Sequence, residues 1–171
     1  MDFSLVKENQ SFRANSPCTD AAPAADGGRI LIQLLSRVRV DKSGAKKKVN
    51  TEDAVISLAV SNDETTLFAG SADGRSVFTF RIEQNGDITA KDRYVAPRKP
   101  LAGVTGSVPG MTLDKANRIY AATSLGVQVF DPTGRLCGVL LQPDFPSFAS
   151  SIAFAGSLSL QSSLLAVGSG V

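Results

Sequence analysis

The sequence predicts an all-β chain, a partial β-propeller of about three four-stranded blades. Three observations predict it. From Arg29 onward, short runs of β-branched, aromatic and other apolar residues alternate with turn residues. An acid-x-x-Gly turn recurs at Asp41–Gly44, Glu83–Gly86 and Asp131–Gly134, with its glycines 42 and 48 residues apart. A strand-turn-strand-turn-strand-turn-strand order fits within each interval, and four strands in roughly 40–50 residues is the period of a propeller blade. A sandwich or jelly roll of short strands would supply the strands but not their repeated order.

The elements follow in chain order. Met1–Gln10 lacks a basic n-region and an apolar core, so no secretory signal is visible and a cytoplasmic location is the default expectation. Residues 11–28 are rich in Ala, Pro, Ser and Gly without a period of 2 or 3.6, and residues 1–28 are assigned to a mobile leader. The propeller part spans 29–171. Leu31–Leu35 would allow one helical turn, but Gly27-Gly28 before it and Val38-Arg-Val40 after it favour strand. Residues 29–49 supply a first blade of about three strands, 54–95 and 107–142 two whole blades, and 151–168 two strands of a last one.

Within each blade the first strand opens on a small residue: Ser57-Leu-Ala-Val60, Gly110-Met-Thr-Leu113 and Ser151-Ile-Ala-Phe154. Innermost strands crowd a central channel, so their backbones must approach closely. The partner strands are Thr66–Gly70, Arg118–Thr123 and Ser163–Gly168. The third strands, Val77–Ile82 and Val127–Phe130, run into the acid-x-x-Gly turns. There the acid caps its own turn, and Gly takes the positive φ of a tight hairpin.

Composition narrows the chemistry. The 171 residues contain no His, which removes imidazole bases, imidazole metal ligands and the usual nucleophilic triads. Net charge is +2, too small to force a polyanionic partner, and no apolar run approaches the ~20 residues of a membrane helix. No membrane or nucleic-acid partner is expected. Cys18 and Cys137 lie far apart and read as free thiols. Arg37, Arg39, Lys42, Lys46, Lys47 and Lys48 form the densest charge cluster. It fits phosphate contacts or, without interleaved aromatics, a solvated outer strand whose lysines guard an open edge. The glycines at 103, 106 and 110 are followed by no Gly-Lys-Ser/Thr, so they read as a loop between blades. Ser124, Ser150 and Ser151 have no Gly-x-Ser-x-Gly elbow.

The run Gly110-Met-Thr-Leu-Asp-Lys-Ala-Asn-Arg-Ile-Tyr-Ala-Ala-Thr123, continuing to Leu136, resembles the SMP-30/gluconolactonase/LRE-like family. That family repeats D-G-M-x-x-D-x-x-G-x-L-Y-x-A-T-x-x-G-V-x-V-F-D-x-x-G-x-L. Ser61-Asn-Asp-Glu-Thr-Thr-Leu-Phe68 is similar to its S-P-D-G-K-T-L-Y, and Ser151–Gly156 with Leu164–Val167 to its C-A-F-G-G … L-Y-V ending. The resemblance covers about residues 54–168 and implies the C-terminal part of a six-bladed propeller.

The resemblance also implies metal-dependent hydrolysis of sugar lactones. A Ca²⁺ or Zn²⁺ held by a Glu, an Asn and an Asp would polarise the lactone carbonyl and acidify bound water. The family's Asp position is Pro109 here and its Asn position is Ile56; the Glu belongs to blades outside the matched stretch. Pro and Ile offer no side-chain oxygen. No catalytic residue is therefore assigned, no metal is expected on this chain, and lactonase activity is expected to be weak or absent. Glu52 and Asp53 are the candidates for displaced ligands, or a solvated acidic loop. Asp114, the second Asp of the motif, reads as a turn cap. The alternatives are a non-catalytic scaffold or interaction module, and a truncated fragment of a longer ring. A sugar lactone is the candidate small ligand, and self-association could complete the ring.

Overall fold

The computed structural model describes residues 18–23, 29–33, 36–40, 46–49, 54–85, 87–99, 106–141, 148–155 and 163–169. Side chains are described for 54–85, 87–99, 106–141, 149–154, 164, 166 and 167. No helix occurs among the described residues. Four antiparallel sheets follow one another along the chain. The first joins β1 (Cys18–Pro23), β2 (Arg29–Gln33), β3 (Ser36–Val40) and β4 (Lys46–Val49). The second joins β5 (Val55–Val60), β6 (Thr66–Ser71), β7 (Val77–Ile82) and β8 (Ile88–Val95). The third joins β9 (Met111–Leu113), β10 (Ile119–Thr123), β11 (Gly126–Phe130) and β12 (Leu136–Leu140), and the fourth pairs β13 (Phe148–Ala155) with β14 (Ser163–Ser169).

Each four-stranded sheet keeps its strands in sequence order. The first strands of successive sheets lie against one another, β1 against β5, β5 against β9 and β9 against β13. Sheets related in this way fan about a shared axis as propeller blades do, in an arc of three four-stranded sheets and one two-stranded sheet. Strand β1 falls within the span assigned above to the leader. Its Cys-Thr-Asp-Ala-Ala-Pro sequence has low strand propensity, and its place is set by backbone pairing with β2, from Pro23 opposite Arg29 to Ala21 opposite Leu31. The rest of residues 1–28 lies outside the described residues. The expected turns at 41–44 and at Gly86 lie outside them as well.

Burial on both faces of β5, β6, β10 and β11 explains why these strands read as largely apolar runs. Leu58, Leu67, Ala69, Phe80 and Ile82 form one cluster on the second sheet. Alternate residues Ala59, Phe68, Val77 and Val95 face the other way and pack with Met111, Ile119, Ala121 and Phe130 of the third sheet. The third sheet's other face, through Ala122 and Val127, meets Ala149 and Ile152 of the fourth. Edge-to-face ring pairs, Phe68 with Tyr94 and Tyr120 with Phe154, lie in these layers. Each fully buried large apolar side chain contributes roughly 1.5–3 kcal/mol.

One hairpin device recurs four times. Loops opening at Ser61, Ser71, Asp114 and Asp131 each close with the N–H of the fourth residue donating to the carbonyl of the first, at 2.9, 3.2, 3.0 and 2.9 Å. The fourth residues, Glu64, Gly74, Asn117 and Gly134, all have positive φ, from 57° to 86°. The opening side chain then accepts the N–H of the residue that closes the loop: Ser61 from Thr66, Ser71 from Ser76, Asp114 from Arg118 and Asp131 from Arg135. The Asp131–Gly134 turn thus has the form expected from sequence, and Gly134 carries its left-handed position without strain. The Ser71 loop takes the same form without a strand-final acid, its opening oxygen supplied by a serine hydroxyl.

Candidate functional site

Antiparallel pairing within each sheet brings the starts of β5, β9 and β13 to one end of the arc, together with the β6–β7 and β10–β11 turns. This end is the mouth of the axis. Three residues occupy equivalent places there, each preceding the small residue of its inner strand: Ile56 before Ser57, Pro109 before Gly110 and Ser150 before Ser151. The pairing register shifts between Val55 and Ser57 and again between Ala149 and Ser151, so Ile56 and Ser150 are the extra residues of two matching β-bulges. A bulge re-aims the side chain it carries and is common beside binding sites.

The small residues allow close packing between inner strands. Ser57 is fully buried, and its Oγ donates to the carbonyl of Val108 at 2.5 Å. The Val108 N–H donates to Ser71 O at 3.1 Å, fixing the approach to Pro109. A Cβ on Gly110 would sit 2.9 Å from Ser151 Cα, so the inner strands of the third and fourth sheets pass at backbone distance. This geometry matches the sequence expectation for small residues at these positions.

Further out, Gln128 is fully buried and fixes the connection between two blades. Its Oε1 accepts the Arg98 N–H at 2.8 Å, and its Nε2 donates to Arg98 O at 2.7 Å and to Thr123 Oγ1 at 2.9 Å. Sequence reasoning missed this residue because a lone polar residue in Val-Gln-Val-Phe reads as one that faces solvent. Its signal is its place on a strand buried on both sides. On the rim, the Asp73 carboxylate accepts the Arg75 N–H at 3.0 Å and pairs with the Arg75 guanidinium at 3.3 Å. The backbone hydrogen bond from Arg75 is the main force holding this carboxyl below its ordinary value, with burial opposing it.

The mouth lacks donors for a hard cation at the two positions where the resemblance implies them. Ile56 is half-buried hydrocarbon and Pro109 a half-buried ring. Ser150, the third equivalent, has a hydroxyl that donates to Val167 O at 3.0 Å. Hard divalent cations need several oxygen ligands, usually with carboxylates among them, so these residues do not fit such an ion. Among the described residues, no three His, Cys, Asp or Glu side chains are grouped to hold a metal. Glu52 and Asp53 lie outside the described residues.

Asp114 sits at the opposite end of the arc, in the β9–β10 turn. It accepts the N–H groups of Ala116 and Arg118 at 2.9 Å each and pairs with Arg118 Nε at 2.6 Å. Burial works to raise its pKa, but the hydrogen bonds from Arg118 and Ala116 outweigh it, leaving the carboxyl below its ordinary value. Its role is the turn cap expected from sequence. Cys137 is an exposed free thiol. No helix among the described residues is long and apolar enough to cross a membrane.

Comparison with known proteins places this geometry among relatives. The family model for the SMP-30/Gluconolactonase/LRE-like region matches residues 9–161. The match reaches well upstream of residue 54, where the sequence resemblance was first visible, and takes in the first sheet. A gluconolactonase of Zymomonas mobilis subsp. mobilis is 30% identical over 87 residues, covering 48% of this chain and 24% of that protein. The solved gluconolactonase XC5397 of Xanthomonas campestris superposes with a TM-score of 0.67 at 22% identity, over 80% of this chain and 50% of that one. The calcium-binding protein regucalcin of Agrobacterium tumefaciens superposes with a TM-score of 0.66 at 18% identity, over 81% and 49%. The chain thus spans about half the length of these solved relatives and about a quarter of the curated one.

Proposed function

The chain belongs to the SMP-30/gluconolactonase/LRE-like family, and from that premise we propose that it is a propeller body in which the family chemistry, metal-dependent hydrolysis of sugar lactones, is weak or absent. The observation that carries this reading is the pair Ile56 and Pro109, two hydrocarbon side chains at the mouth positions where the family resemblance requires an amide and a carboxylate. Side chains without donor atoms at these two positions would not hold an ion that polarises a lactone carbonyl or acidifies a water. The chain has no His to replace that ion with a general base.

A second reading follows from the contrast between mouth and body. The blade-to-blade layers, the four matched hairpin turns and the Gln128 connection are all built, while Ile56 and Pro109 bring no side-chain oxygen to the mouth. That combination supports a non-catalytic scaffold or interaction module. Glucono-lactone opening, followed with a pH indicator in the presence of Ca²⁺ or Zn²⁺, separates the two functions. Metal-dependent turnover above the spontaneous rate supports a working lactonase; its absence at saturating metal supports the module.

A further inference from the structure

The first sheet carries an electrostatic feature that lactone chemistry does not use. Residues 29–49 contain seven of the 18 Lys and Arg and one of the 16 acids, a net charge of +6 in a chain whose total is +2. The remainder of the chain is therefore net −4. The register concentrates the positive charge on the outer half of the sheet. Arg39 stands directly opposite Lys47 and Arg37 opposite Val49, while Lys46 and Lys48 stand opposite Val40 and Val38. Arg37, Arg39 and Lys47 thus share one face, and Lys46 and Lys48 the other.

Strand β4 ends the order β1-β2-β3-β4 and has one hydrogen-bonded neighbour among the described strands. Like charges directly opposite one another destabilise a strand pair, and Arg39 opposite Lys47 is such a pair. Lysines on an edge strand guard it against unwanted pairing. Three consecutive lysines, backed by two arginines on the adjoining strand, concentrate like charge that a partner bringing anions to the edge would relieve.

We propose that the β4 edge is a docking site for an extended acidic segment of a partner protein, added as a fifth strand. Main-chain hydrogen bonds to β4 would supply the pairing. Acidic residues opposite Lys46, Lys47 and Lys48 would turn the unfavourable charge pattern into cross-strand ion pairs on both faces. Charge complementarity selects an acidic occupant. Residues 29–49 contain no Phe, Tyr or Trp on which bases could stack, which favours a polypeptide over a single-stranded nucleic acid.

The test uses the full chain and a labelled ten-residue peptide with a central run of consecutive Glu flanked by Thr, which presents acids on both faces of the added strand, read by fluorescence anisotropy at 0.15 M salt. Saturable binding is expected. The triple substitution K46Q/K47Q/K48Q is expected to weaken it about tenfold, as three cross-strand charge pairs would. K46R/K47R/K48R is expected to keep it, which separates lost charge from a damaged fold. Amide exchange at residues 46–49 should slow when peptide binds. Absence of saturable binding, equal binding by the Gln variant, no change in exchange at 46–49, or tighter binding of a uridine oligonucleotide than of the peptide would each overturn the proposal.

Discussion

The Ser57 hydroxyl donates to the carbonyl of Val108, bridging 51 residues of chain to tie the inner strand of one blade to the segment that leads into the next. Ser57 and Val108 are both fully buried. The small residue at the start of an inner strand therefore does two things: it lets neighbouring backbones approach, and here it also satisfies a carbonyl that water cannot reach.

Removing that donor should show as lost stability without a change of fold. Ser57→Ala leaves the Val108 carbonyl without the Ser57 donor in a dry layer, at a cost of about 1–3 kcal/mol. Urea denaturation should show a lower midpoint with an unchanged slope. A midpoint equal to that of the parent chain would mean that the bond contributes nothing net.

Two glycines on the third blade should respond oppositely to the same change. Gly110→Ala forces a methyl against Ser151 backbone, which cannot swing aside, and should cost about 1–3 kcal/mol. Gly138→Ala meets nothing within 4 Å and should leave the melting temperature unchanged or slightly raised. The comparison is read by differential scanning calorimetry. Equal melting temperatures for the two variants would contradict the close passage of β9 and β13.

The buried amide of Gln128 predicts a local effect as well as a global one. Gln128→Leu keeps much of the volume but leaves the Arg98 N–H and C=O without their amide partner. Stability should fall by about 1–3 kcal/mol, and amide exchange at Arg98 should accelerate more than at β7 in the neighbouring sheet.

Acid should loosen the hairpin turns in a defined window. The hydroxyl of Thr133, followed by the Arg135 N–H, lowers the Asp131 pKa from 3.8 to about 2, against a smaller opposing effect of burial. A carboxyl with a depressed folded-state pKa stabilises the fold above its unfolded value and loses that contribution as pH falls through the folded value. Stability of the parent chain should therefore decline as pH falls from about 4 towards 2. The Asp131→Asn variant should be less stable at neutral pH and show a shallower decline across that window. An identical pH dependence for both would remove Asp131 from the account.

Much of the body was legible in the sequence. The buried strands of the second and third blades lie where β-branched and aromatic runs place them, because burial on both faces leaves little freedom for other patterns. Asp131–Gly134 was legible because an acid and a glycine three residues apart encode their own turn. Strand β1 was not, since Ala and Pro give it no strand signal and its position depends on pairing with β2. The loop at Ser71 and the amide of Gln128 were hidden for a related reason: a polar residue shows in sequence but the carbonyl or N–H it will meet does not. At the mouth the sequence showed which side chains stand at the two ligand positions, while the bulges that carry Ile56 and Ser150 emerged only from strand register.

The central claim is that, among the described residues, Ile56 and Pro109 leave the inner-strand mouth without side-chain oxygens for a divalent cation at its two ligand positions. Isothermal titration calorimetry of Ca²⁺, and separately Zn²⁺, into the full chain tests it most directly. The account predicts no saturable heat beyond dilution at millimolar metal. A stoichiometric isotherm that a Glu52→Gln, Asp53→Asn double substitution abolishes would contradict it, by locating a working ion site beside Ile56.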